Sequence, residues 1–484
     1  MPRYDYDLIA IGAGAGGFVS SKVAAGFGKK VAMVEKKKLG GECTNAGCVP
    51  SKALLKAAAV AHLVRHLGDY GLEAAGEISL SGSHAMQYAR AAVKKVYDSH
   101  PASAFEKLGI GVLYGSPRFL DSHRIELNGK VLSAKKFMIC TGSSAFVPPL
   151  EGLSSVPYYT NENIFEIESL PGSMIVLGGG PIGIELASAF NRLGVTTTVV
   201  EMGDRILARD DRELAQMLAE RLASEGLSIR TGTKALSVSR GGDGITLAVE
   251  RDGKRENLSA AALLVAVGRK PNVDGLDLEK AGVRYGPKGI AVDGYLRTTA
   301  ANIFACGDVV GPYQFSHMTE YQAVLAMRNA FLPFRRKVNY DMVAWCTFTD
   351  PELAHIGLTE EEARERYGDR VQVYRWSYGD TDRGRTDRTE QGLAKYLVGP
   401  RGRLVGAHIL GERAGDIIHE AQLLRHLDLP FSAVAQMIHI YPTYTDVVRQ
   451  PAKRFYIDRL RNNFVIKLAS LLLGKKNRER SSGA

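Results

Sequence analysis

An α/β fold in which one supersecondary unit occurs twice is predicted by the sequence. The stretch "YDLIAIGAGAGGFVSSKVAAGFGKKVAMVEK" is echoed further along by "SMIVLGGGPIGIELASAFNRLGVTTTVVEMG". Each reads as an apolar strand, a glycine-rich turn, a helix of small residues and a second strand that closes on Glu. Gly12, Gly14 and Gly17 recur as Gly178, Gly180 and Gly183, and Glu35 and Glu201 each stand 23 residues beyond the first glycine of their copy.

Each part of the repeat has its own physical reason. The first glycine permits a tight turn, the second lets a pyrophosphate reach the backbone, and the third lets the helix pack on the strand. The helix N-terminus then presents free N–H groups and the positive end of its dipole to the phosphates. The closing carboxylate accepts hydrogen bonds from ribose hydroxyls. Two such units predict two Rossmann-like dinucleotide-binding domains and a relay between two redox cofactors. At the second site Glu201 favours NADH, because a carboxylate repels a 2′-phosphate, while the nearby Arg205 leaves NADPH open.

Between the two copies lies "GGECTNAGCVPSK", which holds Cys43 and Cys48, two of the chain's five cysteines. The pair can be a structural disulfide, half of a metal site, or a pair that moves electrons. The C-x4-C spacing is not a common zinc spacing and no second Cys/His pair follows, so no metal is assigned. From Pro50 onward a helix is expected, with Cys48 just ahead of it, where the helix N-terminus stabilises a thiolate.

The bulk properties set the context. At 484 residues about three domains are expected. An odd cysteine count argues against a secreted disulfide framework, so a cytoplasmic location is expected, where a pair built to oxidise is more often catalytic than structural. Strand-like sequence starts at the fourth residue, leaving no room for a cleavable signal, and no apolar run is expected to approach the ~20 residues of a membrane span. Of the net charge of +10, the segment from Lys453 to Ala484 carries +7. The main body is therefore near neutral, and nucleic acid is not an expected partner.

Taken together these residues resemble the class I pyridine nucleotide-disulfide oxidoreductases, the group of dihydrolipoamide dehydrogenase, mercuric reductase and glutathione reductase. The resemblance runs from Asp7 to about Pro451. It rests on the glycine motif with Glu35, on "CTNAGCVPSK", on "CTGSSAFVPP" with Thr141 and Gly142, and on "VAVGRKPN" with Gly268. It is extended by "TTAANIFACGDVVG", whose Asp308 is implied to contact the FAD ribityl chain, and by two C-terminal segments, "CTFTDPELAHIGLTEEEA" and "LVGAHILGERAGDIIHEAQLL". The resemblance implies a discontinuous FAD domain (1–150 and 271–335), an NAD(P) domain (151–270) and an α+β dimerisation domain (338–452), followed by a basic amphipathic tail (453–484). An obligate homodimer is implied, its site completed by the second subunit.

The resemblance also implies roles. Electrons pass from NADH (or NADPH) by way of FAD to a Cys43–Cys48 disulfide, with Cys48 nearest the flavin and Cys43 the outer, interchange thiol. Lys52 and Glu185 fall where the family places an ion pair beside the flavin. His317 starts a helix aimed at the flavin pyrimidine, and either takes part or only caps and packs. In "HIYPTYTD", Tyr441 stands where the family's disulfide reductases have an acid/base His, and Asp446 where they have its Glu. A Tyr titrating near 10 donates a hydrogen bond but is a poor base. His439 is expected to point elsewhere. Glu42, directly before Cys43, either raises that thiol's pKa and repels anionic acceptors, or turns into solvent. Cys140, Cys306 and Cys346 are read as packing residues.

The acceptor is left among a small disulfide, a quinone and a thiophilic metal ion, with dihydrolipoamide dehydrogenase and mercuric reductase as alternatives. The chain lacks the adjacent C-terminal cysteines that receive the metal in mercuric reductases. A flavoprotein electron-transfer component docked to a membrane or protein is the alternative of another class. Its docking element would be the tail, where Phe455, Leu460, Phe464, Leu468 and Leu471 have helical spacing and a basic run follows. The other reading of that tail is a helix packed on the dimer.

Overall fold

A computed structural model of the chain describes residues 4–462 apart from 77, 79, 80 and 243. The tail positions Phe464, Leu468 and Leu471 lie outside the described residues. The chain forms two compact units, Met1–Ile206 with Arg221–Tyr340, and Leu207–Glu220 with Asp341–Ala484.

The first unit contains both copies of the repeat. In the first copy, β1 (Tyr6–Ile11), α1 (Ala15–Gly26) and β2 (Val31–Glu35) follow the expected order. Next come α2 (Cys48–Arg65), α3 (Gly82–Asp98), β3 (Ile110–Tyr114) and β4 (Lys130–Ile139). The second copy is β5 (Ser173–Leu177), α4 (Pro181–Arg192) and β6 (Thr196–Val200), with β7 (Ser228–Arg230) and β8 (Ala262–Val265) beyond it. Then β9 (Ile303–Ala305) returns to the first sheet and α5 (Ser316–Phe331) packs on α1.

The parallel strands of the first sheet run β3-β2-β1-β4-β9, and those of the second β7-β6-β5-β8. The shared order places each glycine turn at the carboxyl end of the central strand, where such sheets bind ligands. Ile11 pairs with Val34 on one side and Ile139 on the other, and Leu8, Ile9, Ala10 and Ile11 are all buried. Both faces of the strand are covered, which is why it reads as a continuous apolar run rather than an alternation. A short antiparallel pair, Ser143–Ala145 with Arg269–Pro271, joins the segment leaving the first sheet to the segment returning to it.

The helix expected from Pro50 begins two residues earlier, so Cys48 is its first residue and Pro50 its third, where a missing N–H costs nothing. The expectation about apolar runs needs correction. Gly41–Arg65 is long and apolar enough, by length and composition only, to cross a membrane. It is two helices, Gly41–Asn45 and α2, interrupted at Ala46 and Gly47, and α2 packs on α3 and α4.

The second unit is a five-stranded antiparallel sheet. Its strands β10 (Ala344–Thr347), β11 (Glu352–Gly357), β12 (Gln372–Ser377), β13 (Leu393–Val398) and β14 (Leu404–Gly411) lie in the order β10-β11-β14-β13-β12. With α6 (Ala414–His426) and α7 (Asp446–Asn462) it encloses a core that includes Tyr396, Ile409, Ile418, Phe431 and Phe455. Lys395 is buried here, its Nζ 2.7 Å from Asp211, 2.6 Å from Glu213 and 3.1 Å from Glu360. Burial opposes its charge, but the carboxylates prevail and raise its pKa. These bonds, with Trp345 Nε1 donating to Asp210 at 2.9 Å, are why residues 207–220 group with the C-terminal sheet.

Candidate active site

The two glycine turns have the same geometry. Gly12 and Gly178 have φ of +100° and +112°, and a Cβ on either would sit 2.4 or 2.5 Å from the carbonyl oxygen of Cys140 or Ala266. Only glycine fits there. Gly17 and Gly183 lie against those same turns, a Cβ falling 1.9 Å from Gly12 O and 2.1 Å from Gly178 O. Beside Gly180 there is open space. Neither α1 nor α4 has a side-chain N-cap, so their first N–H groups face outward from Gly14 and Gly180 unclaimed by a side chain. Two such cradles fit two dinucleotides. Gly180→Ala is therefore expected to leave Tm unchanged while raising KM for NADH, and Gly183→Ala to lower Tm, as thermal melts and steady-state kinetics would show.

The two acids do more than await a ribose. Glu35 accepts from the backbone N–H of Ala13 (2.9 Å) and Lys37 (2.7 Å), and Glu201 from Gly179 and Gly203 (both 2.6 Å). Each carboxylate thus holds its own glycine loop. Thr141 Oγ1 donates to Asn272 O at 2.7 Å, and the backbone N–H of Asn272 donates to Gly142 O, while that of Phe146 donates to Gly268 O. Asp308 accepts from Ser143 Oγ at 2.6 Å.

Cys43 lies in the short helix Gly41–Asn45 and Cys48 opens α2; both are free thiols. Cys48 is the more exposed and Cys43 is half-buried. Cys48 Sγ stands 3.7 Å from Ser316 Oγ, the first residue of α5, so two helix N-termini meet at this sulfur. The hydrogen bond from Cys43 is the largest influence on Cys48, and with Lys52 and Ser316 it draws the thiol down to about 6 against burial and Glu185. Cys43 is pushed up, first by that same hydrogen bond and then by burial. The reduced pair therefore holds one proton on Cys43 and a thiolate on Cys48 at neutral pH.

Lys52 stands one turn along α2 and its Nζ is 2.7 Å from Glu185 Oε2 on α4. The two residues meet, with Glu185 at 7% and Lys52 at 37% side-chain exposure. The ion pair ties the dithiol helix to the helix that begins at the second glycine turn.

The structure gives Glu42 a partner that neither expectation included. Its carboxylate is engaged by the Arg269 guanidinium through both oxygens, with Nη1 to Oε1 at 2.7 Å, and by Asn161 Nδ2. At 26% side-chain exposure it is partly buried, and Arg269 from a distant strand neutralises it.

His317, second in α5, stacks on Phe315 with ring centroids 5.3 Å apart. In the second unit, Tyr441 is exposed and its hydroxyl donates to Asp382 Oδ2 at 2.8 Å, a bond that raises the phenol's pKa. Asp446 accepts from Arg449 at 3.1 Å. His439 points away, 3.3 Å from Glu420. Sequence reading missed Ser316, Arg269, Asn161, Ser143 and Asp382. Ser316 adjoins His317 and Arg269 lies within "VAVGRKPN", but nothing local marks Asn161 or Asp382.

Residues 6–330 match the pyridine nucleotide-disulphide oxidoreductases and residues 343–452 that family's dimerisation domain. A dihydrolipoyl dehydrogenase of Thermus scotoductus is 35% identical over 464 residues, covering 93% of this chain and 97% of the relative. A mercuric reductase of Bacillus cereus is 34% identical over 447 residues, 92% of this chain and 70% of the relative. Among solved structures, the HOCl-induced flavoprotein disulfide reductase RclA from Escherichia coli is 27% identical with a TM-score of 0.83, covering 93% of this chain and 99% of that one. A Cu(II) complex of RclA aligns equally well, with a TM-score of 0.83. The chain belongs to the pyridine nucleotide-disulphide oxidoreductase family, as a homodimeric, FAD-dependent and NAD(P)H-dependent disulfide oxidoreductase.

Proposed function

We propose that Cys43 and Cys48 are the redox-active dithiol of this enzyme, with Cys48 the inner thiolate and Cys43 the thiol that meets the acceptor. The observation that carries this is the Cys48 sulfur at two helix N-termini, drawn down to about 6 beside a protonated Cys43. FAD, when bound, supplies the centre that exchanges electron pairs with NAD(P)H. Gly12, Gly14, Gly17, Glu35, Thr141, Gly142 and Asp308 hold it in this reading, and Gly178, Gly180, Gly183, Glu201 and Gly268 frame the nicotinamide nucleotide, with Glu201 selecting NADH. Lys52 and Glu185 keep a balanced charge pair between the two cradles.

Opening the disulfide takes two electrons and, at neutral pH, one proton, which stays on Cys43 while Cys48 leaves as thiolate. Tyr441 and Asp446 reach this site from the second copy in the homodimer. With Tyr441 tied to Asp382 and its proton held tightly, thiol–disulfide exchange lacks a ready base. A thiophilic metal ion or a quinone therefore ranks ahead of a small disulfide as acceptor. The curated mercuric reductases and the Cu(II) complex of RclA support a metal ion.

Anaerobic reductive titration tests the reading. Wild type is expected to take up two more electrons per chain than Cys43→Ala; equal uptake would remove the dithiol from the mechanism.

A further inference from the structure

Four segments far apart in sequence converge one residue before Cys43. Glu42 belongs to the cysteine loop, Asn161 and Ser143 come from beyond β4, and Arg269 comes from the strand that pairs with Ser143–Ala145. The guanidinium is nearly enclosed, at 12% side-chain exposure, and its donors are divided among defined acceptors. Nε donates to Ser143 Oγ (2.7 Å), Nη1 to Glu42 Oε1 (2.7 Å), and Nη2 to Ser143 O (2.9 Å) and to Glu42 Oε2. Ser143 Oγ in turn donates a hydrogen bond to Asp308, whose carboxylate lies 3.5 Å from Arg269 Nε. Asn161 Nδ2 closes the other side, on Glu42 and on Ala46 O at 3.4 Å. Below the loop, Gly41 packs so closely on Gly14 that a Cβ would fall 2.7 Å from its Cα.

We propose that Arg269 and Glu42 are a positioning pair that fixes the cysteine loop to the Asp308 end of the first cradle and, by neutralising each other, sets the redox equilibrium of Cys43–Cys48. The proposal rests on the dithiol reading above. A bidentate guanidinium–carboxylate pair holds distance and plane together, which a single hydrogen bond from Asn161 does not. Its electrostatic consequence follows from the reduced state, which carries a thiolate. Other charges bearing on the sulfurs or on the pair are Lys52, Glu185, Asp308, Glu162 and, one residue beyond Ser316, His317. Removing the guanidinium strips the countercharge from Glu42, the residue before Cys43 in the chain, and from Asp308, and so disfavours the Cys48 thiolate. Removing the carboxylate's charge leaves the guanidinium and favours it.

The test equilibrates the purified, FAD-loaded enzyme with dithiothreitol and its cyclic disulfide. Reduction of Cys43–Cys48 is balanced by oxidation of one dithiothreitol, and the reduced fraction is read by thiol alkylation and mass. Arg269→Met is expected to lower the reduced-to-oxidised ratio about three- to tenfold, Glu42→Gln to raise it by a similar factor, and the double variant to return within about twofold of wild type. A tenfold change corresponds to about 30 mV. Movement of both single variants in one direction, or no movement, would overturn the proposal, because loosened structure has no sign. Arg269→Gln replaces Arg269→Met if the latter does not fold. If the wild-type pair takes up no electrons in the reductive titration, the dithiol reading falls first and this proposal with it. If it does and the ratios fail, only the positioning role falls.

Discussion

Cys43→Ala is expected to lower NADH oxidation with acceptors reduced at sulfur by about 10³-fold or more, because the group that meets the acceptor is gone while both cradles stay intact. The measurement is a screen of Cu(II), Hg(II), lipoamide, glutathione disulfide and a quinone, with wild type and Cys43→Ala under one set of conditions. Turnover with a quinone that survives in the variant would move that acceptor off the dithiol. Full activity with every acceptor would sink the relay. The pH dependence has a definite sign. Cys48 is a thiolate above about 6 and a thiol below it, so wild-type turnover at sulfur is expected to fall as pH drops through about 6. Cys43→Ala also removes the largest influence holding that value down, so the residual titration of Cys48 should move upward.

Lys395→Met is expected to destabilise the second unit by about 3–5 kcal/mol, because it leaves Asp211, 2% exposed, as an uncompensated buried charge. Thermal unfolding should register this as a loss of roughly 10 °C. Adding Asp211→Leu removes the stranded carboxylate, while Glu213 and Glu360 keep Arg375 at 2.9 and 2.7 Å. The double variant should therefore recover most of the loss. A single-variant cost below about 1 kcal/mol would show that water reaches the cluster and screens it.

The difference between these two clusters shows where sequence reading works. The glycine turns are legible because each residue serves a local purpose within one βαβ unit. Gly12 must have positive φ, Gly17 must clear the turn, and Glu35 must end the next strand. All of that lies within one short stretch of chain, and the unit occurs twice. Cys48 is legible in part, since its place at a helix N-terminus is a local property, although the helix begins two residues before the expected Pro50. The family resemblance then located Lys52 and Glu185, and the structure brings them to 2.7 Å.

The environment of Glu42 was not legible. Read locally, a carboxylate beside a cysteine is either a perturbing charge or a solvated one. Its guanidinium arrives from 227 positions away, delivered by the pairing of Arg269–Pro271 with Ser143–Ala145. The same holds for Tyr441, whose hydroxyl finds Asp382, and for Lys395, which gathers Asp211 and Glu213 from the middle of the nucleotide-binding half. The sequence by itself determined the two glycine cradles, because those follow from backbone conformation and periodicity over short spans, whereas the redox reading of the cysteine pair and the order of the domains came from the family resemblance. Only the tertiary structure decided the partners of Glu42, Tyr441 and Lys395. Coulomb attraction acts through space with no regard for chain separation, so it is the folded arrangement of strands that chooses the partners.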